Sequence, residues 1–150
     1  MQYARHIGRL LVACACACVT TAVAVEFRAV TDSAAVLYDA PSITAKKLYV
    51  VNHGYPLEVV VQVASWTKVR DASGGLSWIE SKELTDKRTV MVKVPLAQVR
   101  QTMDDNAPVV FQAQQNVILD LVAPGDGAWL QVRHEDGATG YIKATQVWGS

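Results

Sequence analysis

Hydrophobic and polar positions along the chain alternate in short runs with a period of two. Val90, Val92 and Val94 are separated by Met91 and Lys93, the spacing that sends one set of side chains to a buried face and the other outward. Leu57-Glu58-Val59-Val60-Val61 and Val117-Ile118-Leu119-Asp120-Leu121 have the same strand-like character, rich in branched side chains. Asp71-Ala72-Ser73-Gly74-Gly75 and His134-Glu135-Asp136-Gly137 are turn compositions between such runs and predict hairpins. No segment carries a long apolar stripe at helical spacing, so the chain is predicted to be all-β.

The pattern is written twice. Trp66-Thr67-Lys68-Val69-Arg70, Gly74, Trp78-Ile79 and Leu84 recur as Trp129-Leu130-Gln131-Val132-Arg133, Gly137, Tyr141-Ile142 and Val147, always 63 positions later. Upstream, Val36 answers to Val99 at the same offset, and Leu57-Glu58-Val59 answers to Leu119-Asp120-Leu121 after a one-residue slip. Gly54 then falls opposite Asn116. Both residue types tolerate a positive φ, which predicts the same turn in each half. Two modules follow, residues 25–93 and 94–150, each with five short strands. A unit of about 60 residues has little core to bury, and closure into a small barrel also removes exposed edges.

The run from tryptophan through Val-Arg, a Gly-bearing turn and then Trp78-Ile79 or Gly140-Tyr141-Ile142 resembles the core of the bacterial SH3 domain, here in tandem over nearly all of the chain after residue 24. The resemblance implies two small SH3-like five-stranded barrels, usually non-enzymatic, of a kind found in envelope proteins that bind cell-wall material or other proteins. It does not fix a ligand. Leu37-Tyr38-Asp39 is similar to the Ala-Leu-Tyr-Asp-Tyr stretch of eukaryotic SH3 domains, with Ala40 in place of the second tyrosine. Trp66 and Trp129 resemble the groove tryptophan of that family. Trp78 and Tyr141 resemble its Gly-Tyr-Ile-Pro aromatic, but Glu80 and Lys143 replace the proline, and Glu83 and Gln146 replace the last groove tyrosine. Half of the aromatic walls that a polyproline helix needs are missing, so proline-rich peptides are not the expected ligand.

Strand parity singles out the candidate ligand residues. With Val69 and Ile79 pointing inward, Trp66 and Trp78 share the outer face. Hairpins centred on Ala72 and Glu135 set Trp66 opposite Trp78 and Trp129 opposite Tyr141, a cross-strand aromatic pair in each module. One reading is a ligand-binding face for sugar rings or apolar groups, with Tyr38 or Tyr55 at its edge. The competing reading is structural: the rings are buried against a loop or between the modules, and the chain is a scaffold for an envelope protein. The expected partner is accordingly a peptidoglycan fragment or an envelope protein, with the chain a monomer or weak oligomer.

Composition changes the picture mainly at the start of the chain. Arg5 and Arg9 precede an apolar stretch, Leu10 to Val19, and Ala22-Val23-Ala24 supplies small residues before a cleavage point at Ala24/Val25. Residues 1–24 therefore read as a signal peptide, and the product as periplasmic or secreted. Leu11-Val12-Ala13-Cys14 has the form of a lipobox and offers a lipid anchor at Cys14 as the rival reading. Only four residues separate Arg9 from Cys14, however, and a signal core needs about 7 to 15. The apolar run is also short of the roughly 20 residues of a membrane span.

Removal of the signal takes all three cysteines and leaves 12 basic against 14 acidic residues. Disulfides, thiolate metal sites and cysteine nucleophiles are thereby excluded, and the balanced charge argues against nucleic acid. The first module carries nine basic and eight acidic residues, the second three and six. His53 and His134 lack zinc-ligand spacing, His134-Glu135-Asp136 reads as a hairpin tip, and Asp104-Asp105 as a polar loop. No catalytic residue, metal or cofactor is predicted.

Overall fold

The computed structural model describes residues 25–31, 33–125 and 127–150. The signal segment, the Cys14 lipobox and Ala24 of the cleavage point lie outside the described residues. Val25, expected as the first residue after cleavage and the first of module 1, is described. It is 59% exposed and precedes the first strand, so the sheet begins one residue later than the expected boundary, at Glu26.

The period-two segments form strands, and the strands form two sheets. In the first module they are β1 (Glu26–Val30), β2 (Ala35–Tyr38), β3 (Lys47–Val51), β4 (Pro56–Val63), β5 (Trp66–Arg70), β6 (Leu76–Glu80) and β7 (Leu84–Thr85). The second has β8 (Thr89–Val92), β9 (Leu96–Arg100), β10 (Val109–Gln114), β11 (Ile118–Pro124), β12 (Trp129–Arg133), β13 (Thr139–Lys143) and β14 (Val147–Trp148). The sheet orders are β3-β2-β6-β5-β4-β1-β7 and β10-β9-β13-β12-β11-β8-β14. They are the same order with seven added to each label. The chain is all-β, two tandem SH3-like domains. Each sheet has seven strands where five are predicted, the short β7 and β14 following a 3₁₀ turn. Among the described residues no ladder joins the two ends of either sheet.

The strand Thr89–Val92 lies on the N-terminal side of the expected module boundary after Lys93. It pairs with β11 and β14, so it opens the second sheet, and the link between sheets is residues 86–88. Val90 and Val92 are fully buried in the second core. A period-two run next to a boundary says which face is buried but not which sheet holds it.

The cores match position by position. Val30, Leu37, Leu57, Val69 and Ile79 of the first core correspond to Val92, Val99, Leu119, Val132 and Ile142 of the second. The offset is 62 up to Leu57 and 63 from Val69 onward. Leu37, not Val36, is thus the counterpart of Val99. The slip falls in the distal turns: Val63 pairs with Trp66 across two residues, whereas residues 125–128 separate β11 from β12. β4 and β11 carry equivalent bulges, at Val60 and Val122. Burying each of these large aliphatic side chains contributes about 1.5–3 kcal/mol.

Gly54 has φ 73° and Asn116 φ 70°, the predicted shared turn. At Gly54 an added Cβ would sit 3.3 Å from Ile118 Cγ2 of the second module, so only glycine fits there comfortably. The same turn is one part of the junction between modules. Thr89 Oγ1 donates to the Gly54 carbonyl at 2.6 Å, and the Trp148 indole N–H donates to the Pro56 carbonyl at 3.2 Å. Phe27 packs edge-on against Trp148, ring centres 5.1 Å apart, with the Arg88 guanidinium 5.7 Å from the Phe27 ring. Arg88 also donates to the Gly149 carbonyl at 2.9 Å.

Candidate functional site

In the first module the predicted parity holds: Thr67, Val69, Ser77 and Ile79 are buried, while Trp66, Lys68, Trp78 and Glu80 share the outer face and are half-buried. The predicted register does not hold. Trp66 stands opposite Glu80 and Trp78 opposite Lys68, so the hairpin is centred on Ser73. Asp71 fixes this turn, its Oδ1 accepting the Ser73 and Gly75 amides at 2.8 and 3.0 Å. The two tryptophans are therefore diagonal neighbours.

Tyr38 completes the cluster. On β2 it lies opposite Trp78, and its ring meets Trp66 edge-on at 5.3 Å and 90°. Tyr38 is only 8% exposed, so it supports the face from beneath. Lys68 Nζ lies 5.9 Å from the Trp78 ring centre, a cation over an aromatic face. Lys82 Nζ pairs with Glu80 at 2.9 Å, and that hydrogen bond raises the pKa of the ammonium. Tyr55 lies elsewhere, lining a cavity of about 250 Å³ with Tyr49, Val51 and Asp71. Burial pushes its phenol up, partly offset by a hydrogen bond from the Ala72 backbone.

The second module repeats the strands but not the face. Trp129 stands opposite Lys143 and Gln131 opposite Tyr141, again two positions from the predicted pairing. Arg100 takes the place of Tyr38, opposite Tyr141, and donates to the Ala107 carbonyl at 2.6 Å and to Gln98 Oε1 at 2.5 Å. Lys143 Nζ lies 5.6 Å from the Trp129 ring and 2.6 Å from Asp105. Trp129 is 7% exposed, whereas Tyr141 is half-buried. Gln98, Arg100, Asp105, Trp129, Lys143 and Gln146 line a groove of about 250 Å³. Where the first module shows rings, the second shows charges over a covered ring.

A cavity of about 570 Å³ lies between the modules and is absent from the sequence prediction. Its walls include His53 and Gly54 from the first module, Lys87 from the link, and Asp120, Arg133 and Glu135 from the second. His53 Nδ1 is 2.9 Å from the Thr31 carbonyl, which can only accept, so Nδ1 donates there and Nε2 has no partner among the described residues. The Asp120/Arg133 register repeats Glu58/Arg70, a hint at this site readable only once the pairing is known. At the nearby hairpin, Asp136 Oδ1 accepts the Ala138 amide at 2.9 Å and lies 3.1 Å from His134 Nδ1. The Ala138 bond first, and then His134, lower the Asp136 pKa. Val25, singled out in the sequence as one side of the cleavage point, lines none of these three cavities. Among the described residues no group of three His, Cys, Asp or Glu could hold a metal ion, and no helix is long and apolar enough to cross a membrane.

Comparison with protein families places these sheets. The family described as bacterial SH3 domain matches twice, over residues 31–86 and 93–149, and the chain belongs to it. Domains of this family are typically non-catalytic modules and commonly extracellular or envelope-associated. Comparison with curated proteins gives no match. Among solved structures the chain is similar to NlpC1 and NlpC2 from Trichomonas vaginalis, each at 13% identity and TM-score 0.39 over 87% of this chain. It is also similar to an NlpC/P60 family protein from Bacillus cereus, at 17% identity and TM-score 0.36 over 81%. The chain spans about half the length of these three proteins, 48%, 50% and 55%.

Proposed function

We propose that the chain is a non-catalytic binding module of the bacterial envelope, exported by its N-terminal segment with cleavage before Val25, and that it recognises cell-wall peptide or glycan through the outer face of the first module. The observation that carries this reading is the cluster of half-exposed Trp66 and Trp78 braced by Tyr38. Flat rings held on a sheet offer apolar area at little entropic cost to sugar rings or peptide side chains. Lys68 and Glu80 border the rings with polar groups that can take hydroxyls or amides. The second module contributes Tyr141 and the charged groove over Trp129.

A scaffold role, with an envelope protein as partner, is favoured only at Tyr38 and Trp129, whose burial fits a structural part. The aromatics packed at the module junction are Phe27 and Trp148, not the predicted faces.

The test is retention on purified peptidoglycan. Trp78→Ala is expected to weaken retention by about tenfold or more while thermal unfolding stays close to wild type, as for a central aromatic contact. Trp66→Ala adds the loss of the Tyr38 contact. Wild-type protein that is not retained, or Trp78→Ala protein retained equally well, overturns the reading and leaves a protein partner as the alternative.

A further inference from the structure

We propose that the cleft between the modules is a second binding site, for a small dipolar ligand whose carboxylate is held by Arg133. The first observation is a broken symmetry. In the first module, Arg70 and Glu58 stand opposite each other and form an ion pair at 2.7 Å. Arg133 and Asp120 stand in the same register. There, however, Lys87 of the inter-sheet link takes the Asp120 carboxylate at 2.9 Å, and Arg133 has no ion pair among the described residues. The link thus strips Arg133 of the partner that its counterpart keeps.

The second observation is where Arg133 stands. It lines a cavity of about 570 Å³ at the junction of the two modules, which is a size and location typical of small-molecule sites. A guanidinium presents a planar fork matched to a carboxylate. Glu135 lines the same cleft and also has no ion pair among the described residues. Its charge attracts an ammonium, while the Asp120 carboxylate is already held by Lys87. The His53 ring adds a polar group, and Val30 and Ile118 give apolar wall. One free cation, one free anion and an apolar wall describe a site for an unblocked amino acid or short peptide. It is separate from the aromatic face and does not depend on the function proposed there.

Dialanine, which carries one carboxylate and one ammonium, is a suitable probe, followed by amide chemical shifts of the ¹⁵N-labelled protein. Saturable shifts are expected at Gly54, Ile118 and Glu135. Dialanine amide, which lacks the carboxylate, should bind at least about tenfold more weakly, as should dialanine to Arg133→Gln protein. The amide arm uses wild-type protein, so it decides the matter even if the variant folds poorly. No shift at tens of millimolar dialanine, equal binding of the amide, equal binding by Arg133→Gln, or tighter binding of inorganic phosphate overturns the proposal.

Discussion

The two modules share one backbone plan and fill one of its buried sites in opposite ways. In the first, Thr67 points into the core and its hydroxyl lies 2.8 Å from Ser81 Oγ. The counterparts 63 positions later are Leu130 and Ala144, an apolar pair packed in the second core. A buried hydroxyl is tolerated because it has a partner, and the partner is dispensable where the hydroxyl is absent. At this site the duplicated fold changes filled volume and satisfied polar groups together. The next strand changes volume alone, since the buried Ser77 Oγ has no hydrogen-bond partner among the described residues. Ser77 fits in the first sheet, whereas at its counterpart Gly140 an added Cβ would come within 2.7 Å of the Arg100 carbonyl and of Val99.

Moving one partner without the other should break this equivalence. Leu130→Thr removes apolar volume and leaves a hydroxyl facing Ala144, and is expected to cost about 3 kcal/mol in denaturant unfolding. Adding Ala144→Ser should restore about 1 kcal/mol. A double variant no more stable than the single one would mean that the two sites are not equivalent. The arginines give a smaller contrast. Arg70→Gln is expected to lose about 0.5–1 kcal/mol by removing the Glu58 pair, and Arg133→Gln less than about 0.5 kcal/mol. Equal losses would show that Arg133 is tied into the fold.

The smallest effect is at the hairpins. Asp136 has a folded pKa below the ordinary 3.8, mainly because its carboxylate accepts the Ala138 amide. A depressed carboxyl pKa stabilises the turn above the unfolded value, and that contribution is lost as pH falls through the lower folded value. The Ala138 amide should therefore titrate with a midpoint below 3.8, and Asp136→Asn should abolish that transition.

Much of the fold is legible in the chain. Alternation puts Trp66 and Trp78 together on the face opposite Val69 and Ile79, and the repeat gives the shared positive-φ turn at Gly54 and Asn116. Register is less legible, because it depends on how the turn folds. The Asp71 side chain moves the hairpin centre by one residue and thereby the cross-strand partner of Trp66 by two. Membership of the face was readable for Trp66 and Trp78, while the depth of Trp129 was not, since Lys143 and Asp105 come over it from separate segments. The junction left no trace in the repeat. Phe27 and Trp148 occupy positions whose counterparts are Thr89 and Thr85, so comparing the halves hides the residues that join them.

That junction bears on how the protein can be handled. Cut between Thr85 and Thr89, the first half would lose the indole that covers Phe27 and the donors that satisfy the Gly54 and Pro56 carbonyls. The sequence divides into two copies, yet neither copy is a clean excision product, and a single-module fragment should be stickier and less soluble than the pair.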